Sequence, residues 1–216
     1  MHKLDHIVFG ASTLEEGTEF IENILQAKLS DIGYHKDMGT HNRVIRISDK
    51  VYLEVIAINP KMSNSKNRKW FNLDKSGLQS KLKKSPQIIG YVIESNDINI
   101  TKYYDPFFDA SRAKHRWQFA MPTNKHNILD DEIIETGIIP SLISWKSEKP
   151  IFQMKENQFK LISFEIELSE SQQYFNTFFK SLGQIEDVSV LLTFKQKTSN
   201  FKLKLKDNFW NIVISL

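Results

Sequence analysis

The sequence predicts an α+β protein in which a strand–helix–strand–strand order occurs three times along the chain. Two patterns support this prediction: short β-type apolar runs outnumber helical patterns, and similar groups of elements recur about every 70 residues. With 40% hydrophobic and 25% charged residues, the chain has the composition of a globular protein with a sizeable core. We therefore expect one domain at residues 1–148, built from modules at 1–60 and 86–148, and a module-like unit at 158–216.

The first unit has the clearest elements. A strand is predicted at Leu4–Phe9, which is a short apolar run. A helix is predicted next, because apolar residues then recur at three- and four-residue steps until about Ala27. Two β-type runs follow, His41–Ser48 and Val51–Ile58, and the Asp49–Lys50 pair between them predicts a tight hairpin.

The second and third units are predicted from less regular patterns. In the second unit, a short helical stretch is predicted from Asp97 to Tyr104. Three strands complete that unit: Ile88–Ser95, Arg116–Met121 and Ile138–Trp145. In the third unit, a helix is predicted at Ser169–Leu182. Four strands complete it: Lys160–Leu168, Val188–Lys195, Phe201–Leu205 and Phe209–Ser215.

The composition argues against several functional classes. The chain has no cysteine, which excludes a disulfide scaffold, a catalytic cysteine and a thiolate metal site, so a metal here would need His, Asp or Glu ligands. The net charge of +3 is a small difference between 29 basic and 26 acidic residues, so we expect no nucleic-acid partner. We expect no membrane partner and a cytoplasmic location, because no apolar run approaches about 18 residues and residues 1–10 are typical of a strand. The motifs of P-loop, Rossmann, zincin and α/β-hydrolase enzymes do not occur.

The predicted hairpin places polar side chains together. With a two-residue turn, Arg43 pairs with Ile56, and paired residues share one face of a sheet. His41, Arg43, Tyr52 and Glu54 are therefore predicted to lie on one face. Because an unpaired buried polar group costs about 1–3 kcal/mol, this pattern favours a polar cavity. The alternative is a face that is simply solvated.

Several sequence motifs follow the order of these elements. Residues 2–60 contain DHIVFGAS, THNR and YLEVIAINP, and residues 86–146 contain PQIIGYVIES, HRWQFAMPT and GIIPSLISW. In this order the motifs resemble the vicinal oxygen chelate superfamily, and its glyoxalase-like branch in particular. The resemblance implies paired βαβββ modules that form a curved mixed sheet around a ligand or metal site. It also implies that residues 160–216 are an additional βαβββ module-like unit.

The resemblance further implies roles for two residues, His6 and Glu54, which lie at the positions of two catalytic or metal-binding residues of the superfamily. The corresponding positions of the second module fall near Gly90–Tyr91 and Ser141–Ser144, which carry no usual ligand. A metal set of His6 and Glu54 alone is incomplete, because catalytic zinc commonly has three protein ligands. A third ligand could come from one of three residues: His41, His115 or Tyr91. The sequence therefore assigns no cofactor, and a divalent metal stays an alternative.

The predicted substrate-binding residues are polar and aromatic residues of the strands: His41, Asn42, Arg43, Tyr52, Arg116 and Trp117. Because strand side chains alternate, either Arg116 with Gln118 or His115 with Trp117 lines the cavity. We favour Arg116, since together with Arg43 it would bind a carboxylate or phosphate group.

The resemblance implies a glyoxalase-like protein that binds a small, oxygen-rich metabolite. We expect a lyase or isomerase in which Glu54 acts as a base or as a metal ligand, in preference to a dioxygenase. The alternative is a non-catalytic protein that binds and sequesters a small molecule, as resistance proteins do. A small-molecule ligand is thus the predicted partner, and a homodimer is left open.

Overall fold

The computed structural model describes residues 2–62, 70–95, 103–123, 134, 136–155, 159–167, 178, 182–183, 185–186, 188–191, 200–207 and 212–215. Within these residues the α-helices are α1 (Leu14–Leu25) and α2 (Ser76–Leu82). The strands in chain order are β1 (His2–Gly10), β2 (Gly33–His35), β3 (Thr40–Arg46), β4 (Tyr52–Ile58), β5 (Gln87–Glu94), β6 (Tyr104–Arg112), β7 (His115–Pro122), β8 (Ser141–Trp145), β9 (Phe159–Glu167), β10 (Ile185–Glu186), β11 (Ser189–Leu191), β12 (Asn200–Asp207) and β13 (Ile212–Ser215).

The main sheet has a mirrored strand order, β2-β3-β4-β1-β5-β8-β7-β6. Its middle pair, β1 and β5, is antiparallel, and each of these two strands also pairs in parallel with the last strand of its own module, β4 or β8. The sheet is curved and nearly closed, and β10 adds a short parallel pair at the start of β1. The predicted α+β fold, with paired modules in one curved sheet, is confirmed.

The main sheet carries an apolar core on each face. On the outer face, Leu14 and Ile21 of α1 share a core with Leu53 and Val55 of β4. A second core on the inner face combines side chains from both modules: Val8, Ile56, Val92, Phe119 and Ile143. The 3-10 turn Trp70–Asn72 adds Trp70 to this inner core. The space that these inner side chains leave open is the cavity described below.

Helix α1 packs against the outer face of β4. Its N-cap is Thr13, whose Oγ1 accepts a hydrogen bond of 3.1 Å from the backbone N–H of Glu16. The helix ends at Gln26, which adopts the left-handed conformation with a φ of 51°. Gly17 allows a close approach, since a Cβ at this position would lie 2.7 Å from Cγ1 of Val55. The helix therefore lies directly against the strand that carries Glu54.

The C-terminal strands form a second sheet with the order β11-β9-β12-β13. This sheet packs on the outer face of the second module, where Tyr91 of β5 contacts Phe164 and Phe201 with ring centroids 5.4 and 6.2 Å apart. In this sheet β9 lies between β11, with which it pairs in parallel, and β12, with which it pairs antiparallel. The module-like unit at residues 158–216 stays a prediction. The predicted helix at Ser169–Leu182 lies mostly outside the described residues.

Three described elements of the main domain are not predicted: β2, β6 and α2. Tyr104, predicted as the end of a helical stretch, begins strand β6, and residues 96–102 lie outside the described residues. Strand β6 lies at the edge of the sheet, and its proline and aspartates conceal the β pattern. In the part of the chain that the structure describes, no helix is long and apolar enough to cross a membrane.

Candidate active site

The β3–β4 register differs by one residue from the predicted register. Residues 47–51 separate the two strands, so the turn is longer than the predicted two-residue turn and each strand pair shifts by one position. Because strand side chains alternate between faces, this shift moves His41 and Arg43 to the face opposite Glu54. The prediction that His41 and Arg43 lie on the same face as Glu54 is wrong. Asn42 instead lies on the inner face beside Glu54.

A cavity opens on the inner face of the main sheet, with a volume of about 540 Å³ that includes the solvent at its mouth. Its polar lining residues are His6, His35, Asn42, Glu54, Arg112 and His115. Its aromatic lining residues are Tyr52, Trp70, Phe71, Trp117, Phe119 and Trp145. An apolar wall with a few converging polar groups is typical of a small-molecule site.

Three polar residues lie in a line, with Glu54 and His6 at the cavity wall and Asp5 behind His6. His6 of β1 and Glu54 of β4 are each 5% exposed. Nδ1 of His6 lies 2.7 Å from Oδ1 of Asp5, and Nε2 lies 3.5 Å from Oε2 of Glu54. The second module holds Asp5 in place, since Nε1 of Trp145 donates a hydrogen bond of 2.8 Å to its Oδ2. The His6 ring also stacks on Tyr52 with centroids 4.6 Å apart, so its orientation is fixed from two directions.

The second oxygen of Glu54 is held by Asn42, whose Nδ2 donates a hydrogen bond to Oε1. Nη1 of Arg112 in turn donates a hydrogen bond of 3.0 Å to Oδ1 of Asn42. Because one end of the amide donates and the other accepts, this arrangement fixes the orientation of Asn42. Arg112 lies on edge strand β6, and a Cβ at Gly33 on the opposite edge strand β2 would overlap its guanidinium. Arg112 therefore bridges the two edges of the nearly closed sheet.

Two further residues beside Glu54 are kept neutral by burial. Nε2 of His35 lies 4.0 Å from Oε1 of Glu54, and its Nδ1 lies 3.1 Å from Oγ1 of Thr40. Burial lowers the pKa of His35 to about 4, although the negative charge of Glu54 opposes this shift. Burial also raises the pKa of Tyr52 well above its usual value, and the charges of Asp5 and Glu54 act in the same direction. Both side chains are therefore uncharged at neutral pH.

Three predicted substrate-binding residues lie away from the cavity. Arg43 is on the outer face and donates a hydrogen bond of 2.6 Å to a backbone carbonyl. His41 is buried on that same face, where burial lowers its pKa. Arg116 is exposed, because the inner positions of β7 belong to His115 and Trp117. The choice of Arg116 over His115 and Trp117 for the cavity wall is therefore wrong.

The structure brings five predicted residues together at the cavity: His6, Asn42, Tyr52, Glu54 and Trp117. The lining also contains residues that the sequence patterns do not indicate, among them His35, Trp70 and Arg112. His35 belongs to a stretch rich in turn-forming residues, and Arg112 ends a strand that is not predicted, so neither could be assigned to a face. The alternation of strand β6 would have indicated Arg112 if that strand had been recognised.

The residues present do not fit the metal set that the resemblance implies. In the first module, Glu54 pairs with Val8, and His6 lies two residues before Val8. In the second module, Ser141 pairs with Val92, and Gly90 lies two residues before Val92. Ser141 and the side-chain-free Gly90 therefore occupy the corresponding second-module positions. In the described part of the chain, no three His, Asp or Glu side chains are grouped so that they could hold a metal ion.

The predicted alternatives for a third ligand do not complete the set. His41 lies on the outer face of the sheet, away from the cavity. Tyr91 packs on Phe164, and burial raises its pKa well above the usual value, which disfavours a phenolate ligand. His115 lines the cavity, but among the described residues it is not grouped with two other ligand side chains as a metal site requires. The site is therefore best described through the protein's own acid–base groups.

The mirrored sheet and its lined cavity define a two-module protein whose curved sheet surrounds a cavity. The family model named "Glyoxalase-like domain" matches residues 4–180. The chain therefore belongs to the glyoxalase-like domain family, within the vicinal oxygen chelate superfamily. A search of curated proteins gave no match.

The chain is similar to several solved structures at low sequence identity. A hypothetical protein from Staphylococcus aureus is 18% identical, and the alignment covers 100% of this chain and 85% of that chain with a TM-score of 0.60. A variant of Streptomyces coelicolor methylmalonyl-CoA epimerase in complex with 2-nitronate-propionyl-CoA is 13% identical over 67% of this chain and 98% of its own, with a TM-score of 0.44. Methylmalonyl-CoA epimerase from Mycobacterium tuberculosis is also 13% identical, over 70% of this chain and 91% of its own, with a TM-score of 0.40.

Proposed function

We propose that the protein binds a small, oxygen-rich metabolite in the cavity and moves a proton on it, with Glu54 as the general base. The observation that carries this proposal is the buried line of Asp5, His6 and Glu54, of which His6 and Glu54 line the cavity. In an isomerase or a lyase of this type, removal of a C–H proton beside a carbonyl group starts the reaction. Membership of the glyoxalase-like family supports an enzyme or a binding protein, and the proton transfer is our finer inference.

The geometry favours one proton shared between His6 and Glu54. The carboxylate of Asp5 can only accept a hydrogen bond, so Nδ1 of His6 carries a hydrogen. Nε2 then faces Oε2 of Glu54 favourably only if a proton lies between them, either on the imidazole or on the carboxyl group. Glu54 can therefore take a proton from a ligand while His6 returns one to a neighbouring atom. These two steps together make an isomerisation.

The surroundings of Glu54 suit a positioned base. Asn42 holds Oε1, which leaves Oε2 on the side of His6. Aromatic side chains such as Trp70 and Phe119 form much of the remaining wall and keep water away from the carboxylate. Electrostatic interactions with a bound ligand are stronger in such a dry site than in water.

The proposal is tested by hydrogen exchange at carbon. The protein is incubated in D₂O with small 2-oxo and 3-oxo acids as probes, and ¹H NMR follows the loss of their C–H signals against a protein-free control. We expect exchange with the wild type and a loss of about 100-fold or more with Glu54→Gln, because an amide cannot accept the proton. The exposed Glu148 provides the matched control, and Glu148→Gln should exchange like the wild type. Wild-type exchange by Glu54→Gln would show that Glu54 is not the base.

A non-catalytic binding protein is the second candidate function. Gly90 and Ser141 favour it, because the second module contributes no ionisable group at the positions that correspond to His6 and Glu54. In this case the wild type and Glu54→Gln bind the same probes, and neither exchanges their C–H protons. Calorimetry on both proteins, beside the exchange assay, separates the two functions.

A further inference from the structure

We infer that the ligand of this cavity carries a carboxylate, which binds Arg112, and a flat aromatic body, which lies against the aromatic side chains of the wall. The inference rests on the proposed function, because it names the substrate class of the same site. The inference begins from Arg112, which is half-buried at the cavity and has no ion-pair partner among the described residues.

The hydrogen bonding of Arg112 leaves room for an anion. Among the described residues, its hydrogen-bond partner is the neutral amide oxygen of Asn42. A guanidinium carries five N–H donors, and neighbouring pairs of them match the two oxygens of a carboxylate. A partly buried cation that lacks a counter-charge is costly, whereas a ligand carboxylate would neutralise it. Arg46, which is also half-buried, is in contrast paired with Asp49 at 3.4 Å.

The position of Arg112 is fixed before a ligand binds. Asn42 accepts its hydrogen bond from one side, and the backbone at Gly33 lies against the guanidinium on another. The next residue, Ala113, has a φ of 52°, a left-handed conformation that is unfavourable for alanine and turns the chain sharply between β6 and β7. A donor held in place in this way loses little further freedom on binding.

The aromatic wall suits a flat ligand. Trp117 and Trp145 lie with ring centroids 5.4 Å apart, and Trp70 packs edge-on against Phe119 at 4.6 Å. A planar ring makes more contact with such faces and edges than a puckered aliphatic ring does.

The position of Asn42 links this anchor to the proposed base. Its amide oxygen accepts from Arg112, and its amide nitrogen donates to Glu54. A single amide group therefore separates the anchoring cation from the reactive carboxylate. The carboxylate of the ligand and its acidic C–H group must accordingly lie within a few atoms of each other.

Calorimetric titration with three simple probes tests the inference. Benzoate supplies both the carboxylate and the flat ring, benzamide removes the charge, and cyclohexanecarboxylate removes the planarity. With the wild type we expect benzoate to bind about tenfold or more tightly than benzamide, which is the usual worth of one charge-assisted contact. We expect it to bind about threefold or more tightly than cyclohexanecarboxylate, which is the scale of one aromatic contact. Equal affinity for benzoate and benzamide would overturn the carboxylate anchor, and equal affinity for benzoate and cyclohexanecarboxylate would overturn the flat body. These comparisons need no variant.

Variants then locate the anchor. Arg112→Met should lower benzoate affinity to the level of benzamide and leave benzamide unchanged, and Arg112→Lys should fall between. Arg116→Met, at an exposed position of the neighbouring strand, is the matched control and should bind benzoate like the wild type. Equal losses in Arg112→Met and Arg116→Met would contradict a specific anchor. Benzoate has no C–H group beside its carbonyl, so its binding without exchange of the oxo acids would refute only the proton transfer at Glu54.

Discussion

Replacing His35 by asparagine should remove an acid-sensitive part of the folding free energy. Burial lowers the pKa of His35 to about 4 in the folded protein, compared with 6.5 for the unperturbed side chain. As the pH falls, the unfolded chain takes up a proton on His35 at a higher pH than the folded protein does. The free energy of unfolding that depends on neutral His35 is therefore full above pH 6.5, decreases as the pH falls, and is lost entirely below about pH 4. From these two pKa values, His35 makes the wild type about 2 kcal/mol less stable at pH 5 than at pH 7.5.

The assay is urea unfolding followed by circular dichroism at both pH values. The difference in unfolding free energy between the two pH values should be about 2 kcal/mol smaller for His35→Asn than for the wild type. An asparagine oxygen or nitrogen can replace Nδ1 of His35 as the partner of Thr40, so the local contact is retained. Tyr34→Phe, on the same strand, removes no group that titrates in this range and should keep the wild-type difference. The same pH difference in all three proteins would refute a buried, neutral His35.

Two further substitutions test the packing that supports the site. Trp145→Phe removes the 2.8 Å hydrogen bond to Oδ2 of the buried Asp5 and should lower the unfolding free energy by about 1–3 kcal/mol. The control, Trp117→Phe, keeps an aromatic ring in the same wall and should lower it less. Equal losses in the two variants would contradict a role for that hydrogen bond. Gly17→Ala places a Cβ 2.7 Å from a β4 side chain and should destabilise the protein by about 1–3 kcal/mol, whereas Gly77→Ala in α2 meets no atom within 4 Å and should stabilise it by up to about 1 kcal/mol. Thermal unfolding of the two alanine variants decides this, and the same sign for both would contradict the close approach of α1 to the sheet.

The fold could be predicted because its signals are local and repeated. The apolar runs around His6 and Glu54 alone predict strands, and the spacing of the apolar residues between them predicts the helix. The resemblance to the glyoxalase-like branch rests on the same segments, and the family model confirms it. Edge strand β6 could not be predicted in this way, because it contains a proline and charged residues and depends on pairing with β7.

The site is less predictable than the fold, because the length of a turn decides on which face of the sheet a side chain lies. The backbone N–H of Ile47 donates to the carbonyl of Val51, so the turn contains one residue more than predicted. This shifts the strand register by one residue and places Asn42 instead of Arg43 at the cavity. The cation that the cavity does contain, Arg112, comes from a distant strand and reaches Asn42 only because the sheet curls back on itself. Such a contact is a property of the closed sheet and leaves no local signal in the chain.

The mirrored order of the main sheet divides the cavity between two halves of the chain. The ionisable groups around Glu54 come from strands of the first half, whereas Trp117, Phe119, Trp145 and Arg112 come from the second. Within the described main sheet, the modules pair along one antiparallel pair, β1 and β5. Two side chains of the second half also reach the first: Trp145 holds Asp5, and Arg112 holds Asn42 beside Glu54. If the proposed function is correct, substitutions at Trp117 or Phe119 should change which molecule is accepted, whereas substitutions at Trp145 or Arg112 should change the reacting groups as well. Selectivity and reactivity are thus separable at some positions of this wall and linked at others.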